Sequence, residues 1–444
     1  MGRTSGEVRA APVKGAAGKG GDWAFPASYS LGFLTLISAF NYLDRSLLGL
    51  ALPAIKAEMH VSDTALGLVS GFAFLLFYSL MGVPIAWLAD HKNRRNIIAI
   101  GFAFWSLMTF VTGWVGNIVQ LGIARFLMGA GEACGLAPSN SMISDLFRKE
   151  RRALAFSIFG TASSLAFIVF FPLLGQIGEH YGWRQMFMVA GVPGIVLALV
   201  FYFTVREPAR GSRDNEPKRG GDGRSILVTM RYLFSTPAYV YLLIASTLMG
   251  LNVFAASVWT PTLLERVHGL SMGSIASIVG PLKGIFGFVG VLAGGFFIDR
   301  LLPRSPRWRV NLPALACLVL APVEVIFLLS DTSWIWMAAF ALSSFLTLVH
   351  QGPLFALVAE VASSRMRAVA IAAIVLFSGL LGQAMGPLVV GMLNDHLAAS
   401  VGETAIRYSM LVIAVTAGLA GLAIFLAGRH LDHEGEPGPQ GAGI

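Results

Sequence analysis

Twelve apolar runs, each near the ~20 residues that carry a helix across a bilayer, follow one another along this chain of 444 residues. Nothing else in the sequence restricts the fold so strongly. Backbone inside hydrocarbon has no water to bond, so only helices and closed barrels can span it. The short alternating strands of a barrel are absent. Composition agrees: 13% of the residues are charged and 55% are hydrophobic, where a soluble domain carries roughly 25% charge. The chain is expected to be an all-α membrane protein. Its twelve transmembrane helices fall at about 28–54, 64–89, 95–115, 118–142, 153–178, 185–205, 236–264, 272–299, 310–330, 333–358, 367–393 and 405–428.

Organisation follows. Residues 1–27 form an N-terminal tail rich in Gly, Ala, Lys and Arg; it has no apolar h-region, so no cleaved signal peptide is expected. Residues 28–205 and 236–428 are two six-helix bundles, and 206–235 is the linker between them. The stretch 206–224, REPARGSRDNEPKRGGDGR, is polar and lacks apolar periodicity. Residues 429–444 are a second tail. The two cysteines, Cys134 and Cys317, fall in predicted spans without metal-ligand spacing.

Orientation follows from the basic residues. With both termini in the cytoplasm, the tails and even-numbered connections hold 25 of the 32 Lys and Arg. The outer connections hold four, Lys56, Arg184, Arg266 and Arg407, and three lie within spans, Arg45, Arg125 and Lys283. The net charge of +8 is thus mostly a topology signal. It does not call for a nucleic-acid partner. The expected location is the cell (plasma or inner) membrane, as a multi-pass monomer.

The two halves repeat. Pro53 and Pro261, and His60 and His268, are 208 residues apart; Asp90 and Asp299 are 209 apart. Asp145 and Glu360, Arg152 and Arg367, and Pro172 and Pro387 are each 215 apart. Two parallel repeats around a midplane site are a transporter plan. The repeat also pairs inner-side charges: Asp90, Arg94 and Arg95 with Asp299 and Arg300, and Asp145 and Arg152 with Glu360 and Arg367. An ordinary solvated basic loop would explain each set alone. Their recurrence favours an inner gate, a network that holds one conformation and breaks in another. Single exposed pairs contribute only ~0–1 kcal/mol.

Several stretches carry a resemblance. GVPIAWLADHKNRR (82–95) resembles motif A of the major facilitator superfamily, with Ala86 and Asn93 where glycine is common, and ARFLMGAGEA (124–133) resembles its motif B. Within that superfamily NYLDR (41–45), RFLMGAGEA (125–133), ISDLF (143–147), RRALAFSIF (151–159) and VREPARG (205–211) resemble the Spinster lipid transporters. The likeness is close in the N-terminal half and general in the C-terminal half. It implies two pseudo-symmetric six-helix bundles and proton-linked movement of lysophospholipid or sphingoid-type amphiphiles. Organic-anion symporters of the superfamily are similar at NYLDR, which keeps an organic-anion/proton symporter as the alternative.

The membrane charges locate the chemistry. Charged residues within spans cost several kcal/mol and face a cavity or a partner. Arg125 and Glu132 lie two turns apart on one helix face, about 10 and 21 Å below the outer end. Asp44 lies about 15 Å deep on a helix running the other way. In the superfamily fold both helices line the central cavity, so Asp44 is expected to meet Arg125 with Glu132 below. Asp44 is then the proton switch and Arg125 the headgroup anchor. Asn41 shares the face of Asp44. Arg45 points about 100° away, toward another helix or the cavity edge.

The repeat maps Asp44 onto Asn252, Arg125 onto Phe340 and Glu132 onto Thr347. A charged N-half wall facing an apolar C-half wall suits an amphiphile, and mostly polar residues on spans seven and ten would defeat that expectation. Lys283 either meets an anionic headgroup or serves structurally. For Glu324 and His350 a structural role outweighs a second proton site. No phosphate loop, HExxH, GxSxG or Cys/His set appears. No cofactor or enzyme activity is expected; the expected partners are membrane lipids, an amphiphilic substrate and protons.

Overall fold

The computed structural model describes residues 25–210, 226–362 and 366–433. The expected tail before residue 25, most of the linker (211–225) and residues 434–444 lie outside the described residues. Among the described residues every regular element is helical. Nine helical stretches among the described residues are long and apolar enough to cross a membrane by length and composition. One of them, Val369–Leu431, has 63 residues, ~95 Å as a straight helix. It therefore turns back, and does so at Gly402 with φ 64°. Counting it as two, and adding Phe25–Met59 and the broken pair Ile118–Glu132 and Leu136–Leu146, gives twelve helical columns among the described residues.

Spans 1 to 6 are Phe25–Met59, Asp63–His91, Arg94–Thr112, the broken pair Ile118–Glu132 and Leu136–Leu146, Lys149–Tyr181, and Trp183–Thr204. Spans 7 to 10 are Pro237–His268, Met272–Leu301, Trp308–Leu329, and the broken pair Ser333–Val349 and Gln351–Val361. Span 11 runs through Arg367–Phe377, Ser378–Gln383 and Met385–Val401, and span 12 is Leu411–His433. A further helix, Ile226–Ser235, precedes span 7. The sequence reading had placed linker there; its alternation of apolar residues with Thr229, Arg231 and Ser235 is the helical signal.

The repeat is visible in the breaks. Span 4 breaks at residues 133–135 and span 10 at His350. Pro138 and Pro353 follow these breaks and are 215 apart. A proline lacks the N–H for the carbonyl four residues back, so the ladder opens there. Spans 5 and 11 widen into π-turns at Ala166–Phe170 and Ser378–Gln383. Pro172 and Pro387 follow them, and the same missing donor accounts for the wider turn. The turns from span 1 to 2 and span 7 to 8 also match. His60 and Gly269 both have positive φ, 51° and 64°. Ser62 and Ser271 then cap the next helix by accepting from the backbone N–H of Ala65 and Ser274.

The halves meet along spans 1 and 7, 2 and 11, and 5 and 8. Two close approaches set the distance. A Cβ on Gly71 would stand 2.3 Å from the Ala384 carbonyl oxygen and 3.2 Å from the Pro387 ring. A Cβ on Gly280 would stand 2.4 Å from the Phe167 carbonyl oxygen and 3.2 Å from the Pro172 ring. Only glycine admits backbone this near. The two contacts are one contact made twice, since Gly71 and Gly280 differ by 209 and Pro172 and Pro387 by 215.

Polar contacts between halves gather at the end away from the basic loops. Asp63 of span 2 accepts a bidentate pair from Arg266 of span 7 at 2.7 and 2.8 Å and a bond from Asn394 of span 11. Lys56 adds a bridge at 2.8 Å. Asp395 accepts from the backbone N–H of Asp63 and Thr64 at 3.0 and 2.8 Å and from the Thr64 hydroxyl at 2.6 Å. Glu179 accepts from Ser271 and the Gly273 N–H at 2.8 and 2.7 Å. This end is closed.

Candidate functional site: two cavities and a buried charge cluster

At the basic end, Arg94 and Arg309 each pair with an acid of their own half among the described residues. Arg94 bonds Asp145 at 2.5 Å and Glu207 at 2.7 Å, and Arg309 pairs with Glu360. Arg94 and Arg309 are 215 apart, as are their partners Asp145 and Glu360. The two pairs are the same pair in each repeat. The gate network was expected to include Asp90, Arg95, Arg152, Asp299, Arg300 and Arg367. Arg95 contributes its N–H to Glu207 at 2.8 Å, and its guanidinium lies over Tyr202. Arg152 bonds the Phe147 carbonyl at 3.1 Å. Asp90 contributes its carbonyl to Arg210. Asp299 and Arg300 end span 8 and join no ion pair among the described residues. The side chain of Arg367 lies outside the described residues. Glu207 and Arg210 correct one expectation. The start of the linker is docked on span 3, because Arg94 buried at 1% exposure needs a second carboxylate.

The N-half cluster differs in detail from the expected one. Glu132 accepts from Arg45 and Asn41, both at 2.7 Å. Asn41 and Arg45 are one helical turn apart on span 1, so they share a face. Arg45 thus reaches another helix and also lies at a cavity edge, the two places left open for it. Its guanidinium also lies 5.0 Å from the Phe74 ring centre and 4.7 Å from that of Tyr78, where cation–π attraction holds it. Asp44 turns the other way, toward Thr109 and Trp105 of span 3. Arg125 bonds the backbone carbonyl of Asp44 at 3.3 Å, not its carboxylate. Its guanidinium stands over the same Phe74 ring at 5.1 Å. Asp44 Oδ1 and Trp105 Nε1 are buried without a hydrogen-bond partner.

Two cavities adjoin this cluster. The first, with about 470 Å³ of open space, is lined by Asn41, Tyr42, Arg45, Tyr78, Trp105, Ser139 and Phe159 of the N half. The second lies between the halves, with about 740 Å³ of open space. Ser46, Phe167 and Phe171 of the N half face Asn252, Ser257, Lys283, Glu324, Phe340, Ser343, Ser344 and Thr347 across it. Arg125 and Glu132 line neither cavity.

The C-half wall is mixed rather than wholly apolar. Six of the eleven cavity-lining residues of spans 7 and 10 carry a hydroxyl or amide: Asn252, Ser257, Thr260, Ser343, Ser344 and Thr347. Lys283 and Glu324 add charge. Hydropathy averages over a whole helix and hides a polar stripe turned inward. Lys283 donates to Ser257 at 3.1 Å and sits 4.4 Å from the Phe167 ring centre. It has no acidic partner within salt-bridge distance among the described residues. His350 is buried at the break of span 10, outside both cavities.

The comparisons agree with this architecture. The profile of the Major Facilitator Superfamily matches residues 34–387, and the chain belongs to that superfamily. It is 27% identical to an MFS-type efflux pump of Mycolicibacterium smegmatis, over 88% of this chain and 90% of the pump. It is 27% identical to the probable galactarate/D-glucarate transporter GudP of Bacillus subtilis, over 70% and 74%. It is 28% identical to protein spinster homolog 1 of Xenopus laevis, over 82% and 72%. Among solved structures, a bacterial homolog of the human lysosomal transporter Spinster, inward-facing and unoccupied, superposes with a TM-score of 0.81 at 26% identity. That match covers 93% of this chain and 99% of the other. The protein is a membrane transporter, not an enzyme.

Proposed function

We propose that this protein is a proton-coupled secondary transporter of amphiphilic anions, of the lysophospholipid or sphingoid-phosphate type, working by alternating access. With the basic loops in the cytoplasm, the conformer described is the inward-facing one. The observation that carries the reading is the cavity between the halves. Lys283 stands in it without an acidic partner among the described residues, beside the apolar rings of Phe167, Phe171 and Phe340. A phosphate head meets the ammonium and hydroxyls, and a chain lies on the rings.

Asp44 is the proton switch. A buried carboxylate with an unpartnered oxygen is costly, and a proton removes that cost. Arg125 is buried against the Phe74 ring in this conformer, so the headgroup first meets Lys283. Arg125 couples to it through its hold on the Asp44 backbone. Headgroup and proton affinities are then linked reciprocally.

The test is flux in liposomes holding the purified protein, with labelled lysophospholipid and an imposed pH gradient. Gradient-dependent uptake that Lys283→Met and Asp44→Asn each abolish is the expected result; uptake indifferent to the gradient refutes the coupling. A second reading, an organic-anion/proton symporter for hydrophilic acids, is favoured by the hydroxyl-lined C-half wall. Transport of a sugar diacid without competition from lysolipid would select it.

A further inference from the structure

The repeat places one uncompensated acid in each half, on opposite members of the same helix pair. In the N half the acid is Asp44 of span 1, and it faces neutral Thr109 of span 3. The offset of 208 carries Asp44 to Asn252 of span 7; the offset of 215 carries Thr109 to Glu324 of span 9. In the C half, therefore, acid and neutral partner have exchanged places.

Glu324 is 1% exposed and lines the cavity between the halves. Both its carboxylate oxygens accept from the single nitrogen Nδ2 of Asn252, at 3.0 Å each. That nitrogen also donates to the Ile413 carbonyl at 2.9 Å. An amide nitrogen carries two N–H bonds, so one remains for two oxygens that offer about four acceptor sites. Glu132, by contrast, has both an amide and a guanidinium. The groups facing Glu324 are few. Span 7 offers Asn252, which the Ile413 carbonyl of span 12 also holds, and span 10 lines the same cavity with the neutral Ser343, Ser344 and Thr347. Span 8 offers Lys283 across the cavity, committed to Ser257, and its own helix adds Cys317 two turns back. No cation lies within salt-bridge distance among the described residues.

We propose that Glu324 is a second proton-binding site, loaded and emptied through the cavity between the halves and separate from Asp44. Water in the cavity delivers the proton to the carboxylate and takes it back, leaving a neutral acid in one state and an anion in the other. Each transport cycle then moves protons at two sites, one per repeat. This inference rests on the proton-driven reading above.

Infrared difference spectra of the full chain in phospholipid bilayers, stepped from acid to alkaline buffer, test it without a substrate. The protonated-carboxyl stretch of a buried acid is resolved from those of exposed ones. Glu324→Gln is expected to remove one such band that persists in Asp44→Asn, while Asp44→Asn removes another. A Glu324→Gln spectrum that superposes on the parent, or that loses the band lost in Asp44→Asn, overturns the proposal. An unchanged Asp44→Asn spectrum beside a lost Glu324 band overturns the Asp44 reading alone. If Glu324→Gln fails to fold, Glu324→Asp decides: a shifted band and midpoint support the site, and an unmoved pair refutes it.

Discussion

The N and C halves are built on one plan and spend their charges differently. In the N half two acids and two arginines, Asp44, Glu132, Arg45 and Arg125, pack around the ring of Phe74. In the C half the matching positions of Asp44, Arg125 and Glu132 are Asn252, Phe340 and Thr347, and the charges move to Glu324 and Lys283 at the cavity wall. In that N-half cluster only Arg45 and Glu132 join as a charge pair, Arg125 holds the Asp44 backbone, and the Asp44 carboxylate keeps an unpartnered oxygen; in the C half Lys283 and Glu324 both face open space. That contrast supports the proposal that Asp44 couples protons and that Lys283 meets the cargo.

The largest expected effect breaks that division directly. Asp44→Asn should lower gradient-driven lysolipid uptake by roughly 10- to 100-fold, the span of a typical coupling free energy, while leaving downhill exchange in liposomes measurable. Equal losses of both would make Asp44 a structural residue.

Next come the matched pairs at the basic end. Arg94 is buried with two carboxylates, whereas the side chains of Arg309 and Glu360 are 28% and 46% exposed. Arg94→Ala should therefore cost about 3 kcal/mol, as breaking a buried pair does, and Arg309→Ala under ~1 kcal/mol. Thermal unfolding in detergent reads both. Equal shifts would show that burial does not separate the two copies.

Gly71→Ala and Gly280→Ala form a third, gentler test. Each added Cβ presses on a carbonyl oxygen at 2.3 or 2.4 Å, so each should destabilise the seam by roughly 1–2 kcal/mol, as overpacking does. The midpoint of thermal unfolding in detergent should fall by a similar amount in both, and a loss in one alone would show that the two contacts are not equivalent. The smallest effect is on pH. A hydrogen bond from Arg407 holds the Asp331 carboxyl below its usual range. A lowered carboxyl stabilises the fold above its unfolded value, about 4, and that stability is lost as pH falls through the folded value. Asp331→Asn should flatten the acid limb of the unfolding curve slightly.

Much of this was legible in the sequence. The offsets of 208 and 215 find the two bundles, the matching prolines and the acid ends of spans 4 and 10. Depth along a helix was legible too, since rise per residue is fixed. Rotation about the helix axis was not. Height placed Asp44 between Arg125 and Glu132, yet azimuth gives Glu132 to Arg45 and turns Asp44 toward Thr109. The polar stripe of the C-half wall was hidden for the same reason. Glu207 and Arg210 were missed because their partners lie about 110 residues earlier in the chain, and no local pattern announces a contact across that separation.

The paired approaches at Gly71 and Gly280 have a mechanical reading. They sit either side of the seam, each roughly 12 Å in from the same end by helical rise. Two matched bearings define a shaft. Rocking one bundle against the other about that line leaves both contacts in place and moves the two ends in opposite senses. Sliding or twisting would crush one bearing or part it. On the alternating-access reading proposed above, this seam favours the one motion that opens one mouth as it shuts the other.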